Sequence, residues 1–245
     1  MNLNNRVAVV TGANKGIGLA CVDQLLEKGA IVYGICRSGC NIQHPNYQCL
    51  IADVRNHESL QTAFETVLNT HPHIDILINN AGLASGLSHI QDGDVNDWDK
   101  MIDTNVKGLL YVTRAVLPLM KNSATPHVVN IGSTAAKYVY EKGNVYNASK
   151  FAVDALNQAM RIDLLKQGVK VTGIHPGAAE TEFSLVRFGG DAEKAKAVYN
   201  GFKPLEAIDI ADVCWYVCNL PAHVCINDLI ITPTAQANPY YINLQ

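Results

Sequence analysis

Apolar and polar positions come in alternating blocks. Val7-Ala8-Val9-Val10 is an unbroken apolar run that ends at Thr11-Gly12. Apolar residues then recur at helical spacing through Ile17, Leu19, Ala20, Val22, Leu25 and Leu26, until Gly29 stops the pattern. This predicts a strand, a glycine turn and a helix. The alternation continues: Ile31 to Ile35, Cys49 to Ile51 and Ile74 to Ile78 read as strands, with a helix from His57 to Leu68. Further strands at Val128 to Ile131 and Val169 to Ile174 bracket a long helical pattern from about Val145 to Lys166. Val/Ile runs without polar alternation imply strands covered on both faces, hence an α/β chain with a doubly wound parallel sheet and helices on each side. No Pro/Gly/Ser linker interrupts it, so residues 1–245 are expected to form one domain. Between Pro176 and Pro204 the periodicity fails, apart from a short helical piece at Ala192 to Tyr199. Residues 177–204 are therefore expected to form a substrate lid.

Length and composition permit this: 245 residues with 48% hydrophobic content can bury a sizeable core. A net charge of -3, with no block of like charge, argues against nucleic acid as a partner. No apolar stretch approaches the roughly 20 residues of a membrane span, and no signal-peptide core is evident, so a cytoplasmic protein is expected. The seven cysteines contain no CxxC pair. Cys36/Cys40 and Cys214/Cys218 read as small buried hydrophobes in preference to metal pairs, and no metal site is expected.

Glycines in Thr11-Gly12-Ala13-Asn14-Lys15-Gly16-Ile17-Gly18 follow a strand and open a helix, where a pyrophosphate can approach the unpaired N–H groups of a Rossmann-type fold. A turn needed only for packing would also use glycine. After the second strand stands Cys36-Arg37-Ser38, with no acid to meet a ribose 2′-hydroxyl. Arg37 and Lys15 instead suit a 2′-phosphate, favouring NADP over NAD, although Lys15 as a solvated lysine and Arg37 paired to a local carboxylate remain alternatives.

Tyr146 and Lys150 are four residues apart on one helix face, where an ammonium favours the phenolate and makes Tyr146 a usable acid or base. Such a pair occurs on many helices. Its weight comes from the order of signals: Asn79-Asn80-Ala81-Gly82 after one strand, Ser133 after the next, then Tyr146 and Lys150. Strand carboxyl ends converge on the ligand crevice of an open α/β sheet, which delivers Asn80 and Ser133 beside the glycine turn.

At these residues the chain resembles the classical short-chain dehydrogenase/reductase family over nearly its whole length. Gly12, Asn14, Lys15, Gly16, Ile17 and Gly18 match the family's cofactor motif, Asn80, Ala81 and Gly82 its sheet-stabilising motif, and Asn105, Ser133, Tyr146 and Lys150 its catalytic positions. Asp53 and Val54 match an adenine contact, while Pro176, Gly177 and Thr181 match the segment that holds the nicotinamide. The resemblance implies that Ser133 hydrogen-bonds the substrate oxygen and Tyr146 exchanges its proton as a hydride passes to or from the nicotinamide. It also implies that Lys150 holds the nicotinamide ribose, that Asn105 fixes a relay water, and that the enzyme is a homotetramer built through the helices carrying Asn105 and Tyr146.

Asp97-Trp98, Met101 to Asn105, Arg114 to Pro118, Gly143 to Tyr146, Val186-Arg-Phe188 and Leu220 to Val224 narrow the resemblance. They are similar to bacterial NADP-dependent 3-hydroxy acid dehydrogenases acting on serine and L-allo-threonine, implying oxidation of a short 3-hydroxy acid to a 3-oxo acid. The sequence departs from that group in having one basic residue after the second strand and a Pro176 to Thr181 loop one residue shorter. Arg187 in the lid is either a substrate-carboxylate ligand or a solvated arginine, with Lys142 a rival for the same role. Two alternatives stand beside this reading: an NADPH-dependent reductase of uncharged ketones, aldehydes or dicarbonyls, and a non-catalytic NADP(H) sensor. His175 reads as structural, and the tail 232–245 as either a subunit contact or a frayed end.

Overall fold

The computed structural model describes residues 3–244. Strand β1 (Val7–Thr11) leads through the glycine turn into helix α1 (Gly16–Glu27), followed by β2 (Ile31–Cys36), β3 (Tyr47–Ile51), α2 (His57–Leu68) and β4 (Ile76–Asn79). Helix α3 (Val95–Ile102) passes through a π-helical turn, Asp103–Gly108, into α4 (Leu109–Met120); then come β5 (His127–Ile131), α5 (Asn144–Asp163) and β6 (Lys170–Pro176). Strand β7 (Ala179–Glu180), α6 (Glu182–Arg187), α7 (Ala192–Ala197), β8 (Leu205–Glu206), α8 (Ala207–Cys218) and β9 (Asp228–Ile231) complete the order.

Seven strands form one sheet in the order β3-β2-β1-β4-β5-β6-β9, and every neighbouring pair is parallel. Successive side chains of a strand point to opposite faces. Val7, Val9, Leu77 and Val128 accordingly pack with Phe64, Val112 and Val153 of α2, α4 and α5. Ala8, Val10, Ile76, Ile78 and Val129 pack on the other face with Cys21 and Leu25 of α1 and Ile210 and Cys214 of α8. This is the doubly wound, Rossmann-type arrangement expected from the unbroken apolar runs. The chain winds outward from β1 to β3 and then returns to β4 on the far side of β1. That reversal opens a crevice at the strand carboxyl ends.

The element boundaries differ from the sequence reading in places. Ile74 and Asp75 lead into β4, and the catalytic helix ends at Asp163 and continues as a short 3-10 turn, Leu165–Gln167. The lid segment contains an additional helix, α6, and a two-stranded ladder of β7 and β8 pairs Ala179 with Leu205 and Glu180 with Glu206. That ladder fastens the two ends of the lid together. No helix among the described residues is long and apolar enough to cross a membrane.

Candidate active site

Gly12 (φ +67°) and Gly16 (φ +53°) adopt the left-handed backbone that glycine enters without penalty. A side chain at Gly18 would overlap the Gly12 carbonyl and the Asn80 amide, so α1 can seat against β1 only with glycine there. Asn80 locks the turn: its Nδ2 donates to the Thr11 carbonyl at 2.8 Å, and the Thr11 hydroxyl accepts from the backbone N–H groups of Asn80 and Ala81. No side chain caps α1 and no acid stands in its first turn. Its free N–H groups and positive dipole end therefore face the crevice, a ready cradle for phosphate.

The crevice encloses about 640 Å³. It is lined by Gly12, Asn14, Lys15, Gly16 and Ile17; by Arg37, Asp53 and Val54; by Asn80, Ala81 and Gly82; by Ser133, Tyr146 and Lys150; and by Pro176, Gly177, Thr181 and Arg187. Asn14 Nδ2 donates to Ser38 Oγ at 3.1 Å and so joins the glycine turn to the loop that carries Arg37. Arg55 adds a third cation at this end. Its guanidinium grips Asp53 at 2.6 Å and holds that carboxyl below the usual range, with the Arg37 charge contributing. Asp53 is thus the local carboxylate of this corner, and the partner that takes it is Arg55.

Below the other half of the crevice lies a buried amide network. Asn79 Nδ2 donates to Thr113 Oγ1 (2.9 Å) and to Asn130 Oδ1 (3.0 Å), and Asn130 Nδ2 donates to Asn157 Oδ1 (3.0 Å), joining β4, β5, α4 and α5. Asn105 sits in the π-helical turn and is buried behind the crevice wall. Its side chain exchanges two 2.8 Å bonds with the backbone of Leu83, and its Nδ2 also reaches Ser149 Oγ at 3.0 Å. A π turn is a costly local widening that recurs at functional sites; here it aims Asn105 at the helix bearing Tyr146 and Lys150.

Ser133 caps a 3-10 turn, its Oγ accepting from Ala135 N at 3.1 Å. Lys150 donates to the Ile131 carbonyl at 3.0 Å, and burial pushes its pKa down to about 8. Its ammonium lies 5.9 Å from the centre of the Tyr146 ring. Burial pushes the Tyr146 phenol well above its ordinary range; Tyr140 adds to the rise, while the Ser133 hydroxyl and the Arg187 charge oppose it. The sequence expectation names the Lys150 ammonium as favouring the phenolate; the largest influence on the phenol here is burial, which acts in the opposite direction.

Segment 177–204 packs against the phenol. Phe183 of α6 packs on Tyr146 with ring centres 5.5 Å apart, and Thr181 caps α6 through Phe183 N. Arg187, one helical turn further along, donates to Tyr140 Oη at 2.9 Å and lies 5.7 Å from the centre of the Tyr146 ring. Lys142 borders a smaller neighbouring cavity and does not line the main crevice.

Residues 6–187 match the sequence pattern of the short chain dehydrogenase family. The chain belongs to this family. Sulfoacetaldehyde reductase 2 of Chromohalobacter salexigens is 38% identical over 240 residues, covering 94% of this chain and 95% of that protein. NADP-dependent 3-hydroxy acid dehydrogenase of Escherichia coli strain K12 is 40% identical over 238 residues, covering 94% and 96%. Among solved structures, the closed form of serine dehydrogenase complexed with NADP+ superposes with a TM-score of 0.88 at 40% identity, covering 95% of this chain and 97% of that one.

Within this short-chain dehydrogenase, several residues at the site escape a linear reading. Gln236, in the tail, is buried and accepts from Ala178 N at 2.8 Å, holding the loop after β6 from above. Tyr240 donates to the Val139 carbonyl at 2.7 Å, and Pro239 and Ile242 line the crevice, so the described part of the tail is a roof of the site. Arg55 was within reach of the strand-end argument, since it follows β3; Gln236 and Tyr140 carried no local signal. His175 is buried, with Nδ1 3.3 Å from the Ser133 carbonyl and Nε2 2.6 Å from Asp228 Oδ1. Lys137 bonds both Asp228 and Asp154, filling with an ammonium the place a cation would take beside them.

Proposed function

We propose that this enzyme uses NADP to oxidise the hydroxyl of a short 3-hydroxy acid, of the serine or L-allo-threonine kind, to a 3-oxo acid. The observation that carries the substrate class is Arg187, whose guanidinium faces the catalytic phenol from inside the crevice. A carboxylate held there would leave the carbon chain reaching toward Tyr146 and Ser133. Three cations, Lys15, Arg37 and Arg55, line the adenosine end of the crevice, and the lining residues directly after β2, Arg37 and Ser38, offer no acid to a ribose 2′-hydroxyl, which supports NADP.

NADP, which the glycine turn, Lys15 and Arg37 would hold, would supply the hydride acceptor or donor. The remaining work falls to the chain's own groups. Ser133 donates a hydrogen bond to the substrate oxygen, and Tyr146 Oη takes its proton during oxidation or returns it during reduction. Lys150, held by the Ile131 carbonyl, supplies positive charge beneath the phenol. Asn105 fixes the backbone of Leu83 and the Tyr146 helix together, and its expected part is to steady a water that carries the proton outward. The closed lid excludes bulk water from the pair.

Reduction of a small anionic aldehyde is a second reading, favoured by the same arginine and by the similarity to a sulfoacetaldehyde reductase. Uncharged carbonyl substrates would leave the Arg187 charge with only its bonds to Tyr140 and the Gly86 carbonyl, and a non-catalytic sensor would leave Tyr146 and Lys150 without a use. Replacing Arg187→Ala should raise the KM for serine, L-allo-threonine and 3-hydroxypropionate by about 10- to 100-fold while leaving neutral secondary alcohols unchanged. Equal effects on both classes would reject an anion site. Exposed Leu110, Phe151, Ile162 and Leu165 on and after α4 and α5 support a homotetramer, which sedimentation would reveal.

A further inference from the structure

We propose that Cys36 and Cys49 form an oxidisable dithiol whose closure weakens NADP binding; the binding effect rests on the reading of Arg37 as a 2′-phosphate ligand. β2 and β3 run parallel with Gly34 opposite Cys49 and Cys36 opposite Ile51, which places both cysteines diagonally on one face. Their sulfurs are 3.6 Å apart. A disulfide requires about 2.05 Å, so the sulfurs must close by roughly 1.5 Å. β3 is the edge strand of the sheet, paired on one side only, and has the freedom to follow.

The two thiols differ in a way that orders the reaction. Cys36 is buried, and burial with the adjacent Cys49 sulfur pushes its thiol up to about 12. Cys49 is partly exposed and meets an oxidant first. With a peroxide, the Cys49 sulfur takes one oxygen to become a sulfenic acid, and the peroxide leaves as an alcohol or water. The Cys36 sulfur then attacks that sulfur, the S–O bond breaks, the S–S bond forms, and water departs with the Cys36 proton. Cys40 stands near enough to act on the Cys36 thiol, but its Sγ is engaged 3.9 Å from the Ala13 carbonyl, whereas the Cys36 and Cys49 sulfurs face each other. Cys21 and Cys214 are also neighbours, but both lie in the closed core where no oxidant reaches them.

Cys36 is the last residue of β2 and lines the crevice, and Arg37 follows it directly. Drawing Cys36 toward β3 moves the backbone from which Arg37 projects.

Purified enzyme treated with hydrogen peroxide should lose two hydrogens in mass, yield a linked Cys36–Cys49 peptide after digestion, and show a KM for NADP raised about tenfold. Dithiothreitol should reverse both changes. Cys49→Ser should keep wild-type kinetics and ignore the peroxide. A Cys36–Cys40 link, or no link, overturns the pairing. Arg37→Ala in the reduced enzyme separates the remaining failures: an unchanged KM for NADP there overturns the phosphate ligand. A raised KM there, beside a linked wild type whose KM does not move, overturns the effect of the dithiol on binding.

Discussion

The floor and the lid of the crevice are built on opposite principles. On the floor, Asn79, Asn130, Asn157 and Asn105 are almost wholly buried and tied by bonds of 2.8 to 3.0 Å to strands, helices and backbone. The lid contains two six-residue helices; α7 buries no residue, and Leu185, Val186 and Val198 stay exposed. A buried polar network holds one geometry because each broken bond leaves an unsatisfied group in a dry interior. A segment with little buried surface opens at small cost. Under the proposed function, proton transfer would sit on the fixed layer and substrate choice on the adjustable one.

The largest expected break in this contrast is Tyr146→Phe, which should lower kcat by about 10³ while NADPH binding persists by fluorescence titration. A loss below tenfold would remove Tyr146 from proton transfer. Lys150→Met tests the electrostatic strain stored in the floor. With a folded-state pKa of about 8 against an ordinary 10.5, wild type is protonated in both states below pH 8 and bears the full burial cost. As pH rises from 8 to 10.5 only the unfolded chain stays protonated, so that cost fades and is gone above it. The stability of Lys150→Met relative to wild type, from denaturant melts, should accordingly drop by up to about 3 kcal/mol across that window. A pH-independent difference would mean that Lys150 carries no such penalty. The smallest effects set the two layers side by side. Asn79→Ala should cost about 1–3 kcal/mol of unfolding free energy by orphaning Thr113 and Asn130, whereas Lys194→Ala in α7 should change it by less than about 0.5. Comparable losses at both positions would dissolve the distinction.

The legibility of the molecule divides along the same line. Strands β1, β2, β4, β5 and β6 were readable because residues buried on both faces leave near-continuous runs rich in Val and Ile. Helices α3 and α4 were not assigned, since the π turn between them breaks the 3.6-residue spacing and Gly108 falls inside the junction. α8 is apolar around most of its circumference and shows little periodicity, and β9 is a short edge strand alternating between exposed and half-buried positions. In the site, residues at strand ends or with a fixed spacing could be found: the glycines, Asn80, Ser133, Tyr146 and Lys150. Tyr140, Phe183 and Gln236 reach the crevice through tertiary packing of loops and tail, which leaves no trace in local order. The burial of Tyr146 was out of reach for a related reason. Spacing reveals a neighbouring charge, but the depth at which the phenol sits belongs to the folded whole.

The wide turn at Asp103–Gly108 also limits how the gene can change length. Residues 95–120 form an almost continuous rod, and rods of this kind usually tolerate the gain or loss of a codon at their ends. Deleting one codon within 103–108 would remove the residue that the wide turn accommodates and restore regular α geometry, with α3 and α4 kept nearly in phase. The rod would remain a helix, yet Asn105 would swing off Leu83. Length variation in descendants of this gene should therefore accumulate in segment 177–204 and the tail, where no such turn is kept.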